Sequence, residues 1–289
     1  SRGGVHDFFL KRLLRHGDVA ATKGKTDWMN GGNLDIHPEY LRLAAFEALE
    51  EVECDYRLYS PVTGVKMQDN RITGVIVTTK DGTEEFYAEN IIDATGDGDV
   101  AYYAGADMVK GRESDGKFMP ISLVFALANV DVERLLDWLD GHSEDFKTMI
   151  KDAGGEGDAV SDWYAFDRTT VPGVISVNNG GMADVGNLDG TSARDLTLAE
   201  RTGLQVCIDF PKWARKKQIP GLEDCYLLRT GAGVAVRETR RIVGEYVLTE
   251  EDAVKGAEFD DVVARKYGAI DAVHYIAPMK SGFAYPYRS

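Results

Sequence analysis

Hydrophobic and polar positions change period several times along the chain, and each change marks an element. Pro38 sits at a natural first helical position. Leu41, Ala44, Ala45, Ala48, Leu49 and Val52 follow at offsets that share one helical face. Upstream, Val5–Arg15 carries Phe8, Phe9, Leu13 and Leu14 as the apolar positions of a helix, with Gly17 as its stop, and Thr26–Asn33 (TDWMNGGN) reads as a glycine-containing loop. Beyond the second helix the period becomes two. Tyr56–Ser60, Val62–Met67, Ile72–Thr79 and Glu84–Ala88 read as strands separated by Asp69-Asn70 and Asp81-Gly82 turns. Ile91-Ile92 is short and uniformly apolar, the pattern of a fully buried strand in a parallel sheet.

Downstream, Pro120–Val130 predicts a strand. Two helices follow, the first capped by Asp131 and closed at Gly141, the second opened by Ser143. Asp152–Asp162 reads as a loop, and Gly173–Ser192 as a strand running into polar loop. A long helix starts at Ser192, where Asp195 completes a capping box, with Leu196, Ala199, Val206 and Phe210 on its buried side. Tyr226–Arg229 and Val236–Leu248 look extended, and Thr249–Gly256 predicts a short capped helix. No internal repeat is visible.

Composition narrows the class. The chain has 289 residues, 44% hydrophobic and 28% charged, which suits a soluble globular protein of one large or two ordinary domains. A net charge of −15 opposes binding to nucleic-acid phosphate or an anionic membrane. The basic runs Lys11–Arg15 and Arg215–Lys217 read as solvated helix faces. Cys54, Cys207 and Cys225 form no C-x-x-C pair and are expected as buried free thiols. The five histidines form no H-E-x-x-H, and no G-x-S-x-G elbow occurs, so metal and serine-hydrolase chemistry are not signalled.

Three stretches remain as candidate chemistry. Gly96-Asp97-Gly98-Asp99-Val100-Ala101 matches the spacing of a dinucleotide-binding G-x-G-x-x-G/A loop after a strand and before a helix, but Asp97 and Asp99 place carboxylates where a pyrophosphate would sit. With Asp93 the same residues read as a metal loop, or as a plain turn. Gly231–Val236 repeats the glycine spacing but ends in Val, too bulky for close helix–strand contact. In VRETRR (Val236–Arg241), strand alternation puts Arg237, Thr239 and Arg241 on one face and Glu238 and Arg240 on the other. That run reads as a carboxylate or sugar clamp, or as a salt-bridged surface strand.

The order helix, strand, three-stranded meander, buried strand and DATGDGD (Asp93–Asp99) resembles the FAD-binding domain of glutathione-reductase-like flavoproteins. More narrowly, Ile72–Gly82, Ile91–Ala106, Ser176–Asn179, Leu196–Gly203, Gly233–Asp252 and Tyr285–Ser289 resemble, in order, the FAD-dependent oxidoreductase family. The resemblance implies an α/β to α+β architecture: a partial, Rossmann-like FAD-binding domain with an antiparallel β-meander, plus a mixed α+β substrate or cap domain. The expected division is 1–29 as a helix and loop excursion near the substrate domain, 30–110 as FAD-binding and 111–289 as substrate domain. The family's phosphate loop is expected before residue 1 and its last FAD segment after Ser289, so this chain alone is expected to hold FAD weakly or not at all.

The resemblance further implies hydride transfer from a small polar substrate, a sugar or hydroxy acid, to the flavin. Ala94, Thr95, Gly96 and Asp97 are then the cofactor edge, with Val62 as an adenine contact. Arg237, Glu238, Arg240 and Asn178 fall on the substrate side, and Trp28 and Asn30 line the flavin. His274 is a general base by residue type, with Arg237 beside it in the catalytic set. A different class stays open: a non-catalytic α+β module binding a carbohydrate or a protein partner. Oligomeric state is left undetermined.

Overall fold

The structure, a computed structural model, describes residues 4–23, 34–155, 161, 163–181, 185–267 and 284–288. It is a mixed α/β protein whose strand pairings among the described residues are all antiparallel. The chain forms two compact units. One contains the residues up to Pro61 together with Gly111–Thr239, and the other contains Val62–Lys110 together with the residues from Arg240 on. Residues 30–61, expected beside the meander, thus go with the first unit. The residues from Arg240 on, expected in the substrate domain, go with the meander.

The first unit is built on a four-stranded sheet. Its strands are β7 (Phe125–Ala128), β8 (Tyr164–Arg168), β9 (Ile175–Asn179) and β10 (Tyr226–Thr230), in spatial order β10-β7-β9-β8. Phe125 lies opposite Val177, Leu127 opposite Ile175, and Phe166 opposite Val177. Alternation therefore collects these side chains on one face. Two helices cover that face, α4 (Val132–Gly155) and α5 (Ala193–Lys216), which contribute Leu135, Leu139, Phe146, Phe210 and Trp213 to a single core. The predicted pair of helices after Asp131 is α4, with the break at His142, where φ −131° and ψ 30° leave the helical region. Asp131 caps it, Oδ1 accepting from the Arg134 N–H at 3.2 Å.

Ser192 caps α5 as expected, but Asp195 turns its carboxylate to the Asp189 N–H instead of closing the box. Along α5, Ala199, Cys207, Phe210 and Trp213 are buried, whereas Leu196 and Val206 are only half-buried. Gly181 follows β9 at φ 83°, and a Cβ there would run into the Ile121 carbonyl. Cys207 and Cys225 are buried free thiols, and burial pushes them up to about 12 and about 11, so they stay protonated and inert. Cys54, expected buried, is exposed.

The same unit carries α1 (Val5–Arg15), the hairpin β1 (Ala21–Lys23) and β2 (Leu34–Ile36), and α2 (Pro38–Glu50). Leu13, Ala20, Ala21 and Ala44 form a second, small core. The narrow Ala44/Ala48 stripe is what α2 buries, and Leu41 and Val52 stay exposed. Arg12 departs from the expected solvated face. It is 5% exposed, pairs with Glu51, and lies 3.4 Å over the Phe8 ring. Arg215 likewise donates to the Cys225 carbonyl at 2.5 Å.

The second unit holds the predicted meander, β3 (Val62–Gln68), β4 (Arg71–Thr79) and β5 (Gly82–Tyr87), and a short helix α3 (Asp99–Tyr103) that packs on β3. It also pairs β6 (Met108–Lys110) with β11 (Arg240–Ile242). The capped helix α6 (Glu250–Lys255) and the pair β12 (Val262–Tyr267) and β13 (Ala284–Arg288) complete it. Two strand predictions fail. Residues 56–60 are irregular, and Ile91-Ile92 forms no strand, with Ile92 90% exposed. An apolar dipeptide identifies a buried strand only when neighbouring strands flank it, and none pairs with it among the described residues.

Phe210 stands at the centre of the main core, 4.4 Å from the Tyr164 ring and packed on Phe125, Phe166 and Trp213. Phe210→Ala is expected to cost about 3–5 kcal/mol, read as a lower midpoint in chemical denaturation. A loss below about 1 kcal/mol would mean that α5 is not the lid of this core.

Candidate functional site

Asp93 organises the glycine turn of the second unit. Its Oδ1 accepts from the Thr95 N–H at 3.1 Å and the Thr95 hydroxyl at 2.8 Å, and its Oδ2 accepts from the Ala101 N–H at 3.1 Å. Thr95 Oγ1 in turn accepts from the Asp99 N–H at 2.8 Å. The first-turn donors of α3 are thereby met by side chains of the preceding segment. Burial alone would raise the Asp93 carboxyl, but the Thr95 and α3 donors outweigh it and hold the group below the ordinary carboxylate range. Gly96 and Gly98 take φ 85° and 63°, and Gly98 is the N-cap.

Arg240, from β11, completes the arrangement. Its Nε donates to the Asp97 carbonyl at 3.0 Å, its Nη2 pairs with the Asp99 carboxylate, and its guanidinium lies 4.2 Å over the Tyr102 ring. Ala94, Gly96, Gly98, Arg240 and Ile242, with Asp93, line a recess of about 420 Å³. A Cβ at Gly96 would enter open space, so the backbone there is presented bare to whatever occupies it.

This geometry decides among the three readings of the glycine stretch. A pyrophosphate at the start of α3 would find its N–H donors bound to Asp93 and Thr95, and carboxylates beside them. No group of three metal-binding side chains occurs among the described residues. The stretch is a turn, with an internal carboxylate where a phosphate loop holds its ligand. The second glycine run fares no better: no helix follows it, the Gly231 N–H donates to Val124 O, and the Val234 N–H donates to Glu200 Oε1 at 3.0 Å.

Of the other residues singled out in the sequence, Val62 heads β3 opposite Val77. Arg237 and Glu238 close the first unit and Arg240 opens the second. Residues 236–239 are irregular, so VRETRR is not one alternating strand. Arg237 is exposed, Thr239 is 2% exposed, and Glu238 Oε1 accepts from the Met119 N–H at 2.9 Å. Asn178 lies on β9 and accepts from the Asn179 N–H through Oδ1. Arg240, expected on the substrate side, lines the recess with Ala94 and Gly96 instead. Trp28, Asn30 and His274 lie outside the described residues.

The sequence reading overlooks a larger cleft, of about 1330 Å³, in the first unit. Its floor is the sheet face turned away from the core. Across the four strands, Arg229 lies opposite Ala126, Ala126 opposite Ser176, and Ser176 opposite Asp167, and all four line the cleft. The N-terminus of α2 forms a wall with His37, whose Nδ1 accepts from the Glu39 N–H at 3.3 Å. The signal available in sequence was the alternation in Tyr164–Arg168, a strand too short and too mixed in polarity to stand out.

The family model described as FAD dependent oxidoreductase matches residues 1–288, and the chain belongs to that family. Membership implies a redox function, and the family binds FAD. No curated protein matches the chain. No helix among the described residues is long and apolar enough to cross a membrane.

Asp93→Ala is expected to destabilise the second unit by about 1 kcal/mol, as loss of a helix N-cap does, with Asp93→Asn closer to the unchanged protein. Because the folded-state value is lowered, this contribution is complete above the ordinary carboxylate range and fades as pH falls through the folded-state value. The stability gap between Asp93→Ala and the unchanged protein should therefore narrow on acidification. A gap independent of pH would exclude the ionised carboxylate as its source.

Proposed function

We propose that the protein serves an FAD-dependent oxidation of a small polar substrate, a sugar or hydroxy acid, by hydride transfer from a carbinol carbon. Family membership supports the redox class. The observation that carries the local reading is the bare glycine turn over the recess at Ala94–Gly98, braced by Asp93 and Arg240. The residues there fit an uncharged edge of FAD, its ribose or ring system, better than its phosphates, since Asp97 and Asp99 flank the turn. When bound, FAD supplies the acceptor for the two electrons of the substrate C–H bond.

In this reading Ala94, Thr95, Gly96 and Asp97 present backbone and small side chains to the cofactor, and Val62 offers its backbone to the adenine. Arg240 holds the turn in shape by fixing Asp97 O and Asp99. Asn178, Glu238, Arg237, Trp28 and Asn30 are the proposed substrate-binding residues, their polar groups suited to substrate hydroxyls. His274 takes the hydroxyl proton as the carbon gives up its hydride, leaving a carbonyl product.

FAD titration followed by flavin fluorescence tests the cofactor reading. Only weak binding to this chain is expected, and Ala94→Phe, which fills the recess without strain at a glycine, should weaken it further with unchanged melting temperature. Full-length protein, with whatever flanks this chain, that shows no flavin absorbance and takes up no added FAD would sink the proposal. Arg237→Ala should lower kcat/KM by about 10- to 100-fold, the loss of a charge-assisted hydrogen bond, with FAD retained. A colourless Arg237→Ala protein would mean that Arg237 serves the cofactor or the fold.

A further inference from the structure

We infer that the cleft over the open face of the four-stranded sheet is a binding site for a neutral, extended polyhydroxylated molecule, an oligosaccharide. As a substrate site it rests on the oxidoreductase reading; as a binding site it does not. Three features of the cleft converge on this chemistry.

The first is shape. Ala126 and Ser176 make a floor of small side chains, flanked in the same cross-strand row by Arg229 at one end and Asp167 at the other. Three interstrand spacings of about 4.8 Å separate the two charged ends, a span longer than one sugar ring. The cleft volume of about 1330 Å³ also exceeds the roughly 300–1,000 Å³ of pockets that hold one small molecule.

The second is charge. Each guanidinium on the wall already has a carboxylate: Arg168 is bidentate to Glu133 at 2.6 and 3.0 Å, Arg42 meets Glu39 at 2.8 Å, and Arg229 meets Glu39 at 3.7 Å. Asp35 and Asp167 add further negative charge to the lining. An anionic ligand would have to displace these carboxylates and then sit among them. Hydroxyl groups meet no such penalty, because each donates to a carboxylate and accepts from a guanidinium in turn.

The third is the apolar share of the wall. Val124, Val171 and Leu228 offer aliphatic surface for the C–H faces of sugar rings. Phe125, also at the floor, turns its ring into the core, where it meets Phe210. Among the described residues, the lining therefore offers no phenyl or indole face for stacking a nucleobase.

The test is titration of the full chain, without and with FAD, by calorimetry and by NMR. The probes are maltotriose, cellotriose and laminaritriose, with trigalacturonate as the anionic counterpart. Saturable binding of at least one neutral trisaccharide, stronger than trigalacturonate, is expected. Asp167→Asn should weaken it by about 10- to 100-fold, and Ser176→Leu, which blocks the floor, should abolish it, both with unchanged melting. Binding without flavin reduction supports the site while counting against the oxidation reading. Binding of FAD with no neutral trisaccharide bound overturns the site and leaves the oxidation reading standing. Preference for trigalacturonate, or indifference to both substitutions, also overturns it.

Discussion

Side chains in a strand alternate, so the register of the four-stranded sheet decides two faces at once. Pairing Phe125 and Phe166 with Val177, and Leu127 with Ile175, buries one set under α4 and α5. The intervening residues have no choice but the opposite face, and there Ala126, Ser176, Asp167 and Arg229 meet in a single row. A slip of one residue in β8 or β9 would bring Asp167 or Ser176 into the core and Phe166 or Val177 into the cleft. The core thus holds the cleft in register, and the aromatic contacts around Phe210 are the restraint on which the polar row depends.

A comparable economy operates in the second unit at smaller scale. A helix terminus presents donors that attract anions, and here the chain supplies its own anion, Asp93, with Thr95 taking the remaining donor. The turn is shaped without any ligand, leaving bare glycine backbone toward the recess. Arg240 then ties Asp99 to the Tyr102 face and the Asp97 carbonyl. A motif that imitates a phosphate loop in spacing works here as a scaffold.

Much of the architecture was legible in the sequence because long periodic elements declare themselves. The meander, α2, α5, the break between the helices after Asp131 and the Thr249 cap all follow from periodicity and capping residues. What failed depended on partners. Ile91-Ile92 looked buried because it is apolar, yet Ile92 is exposed. Lys11–Arg15 looked solvated because it is charged, yet Arg12 is buried against Phe8 and Glu51. Ala94 and Gly96, named from sequence for the cofactor, line one recess with Arg240, named for the substrate, whereas the Arg229–Asp167 row was invisible. Its members come from four strands, and only their register assembles them.

The second unit is built from two pieces of chain separated by most of the first, and the Arg240–Asp99 ion pair joins residues 141 apart. During synthesis the glycine turn emerges long before the arginine that fixes it. Closing so distant a contact carries a large loop entropy, so local elements such as the meander have time to form first. The β6–β11 pairing must wait for the intervening Gly111–Thr239 segment to leave the ribosome. The recess therefore matures only after Ile242 has emerged, and its assembly reports that the segment from Gly111 to Thr239 has already been made.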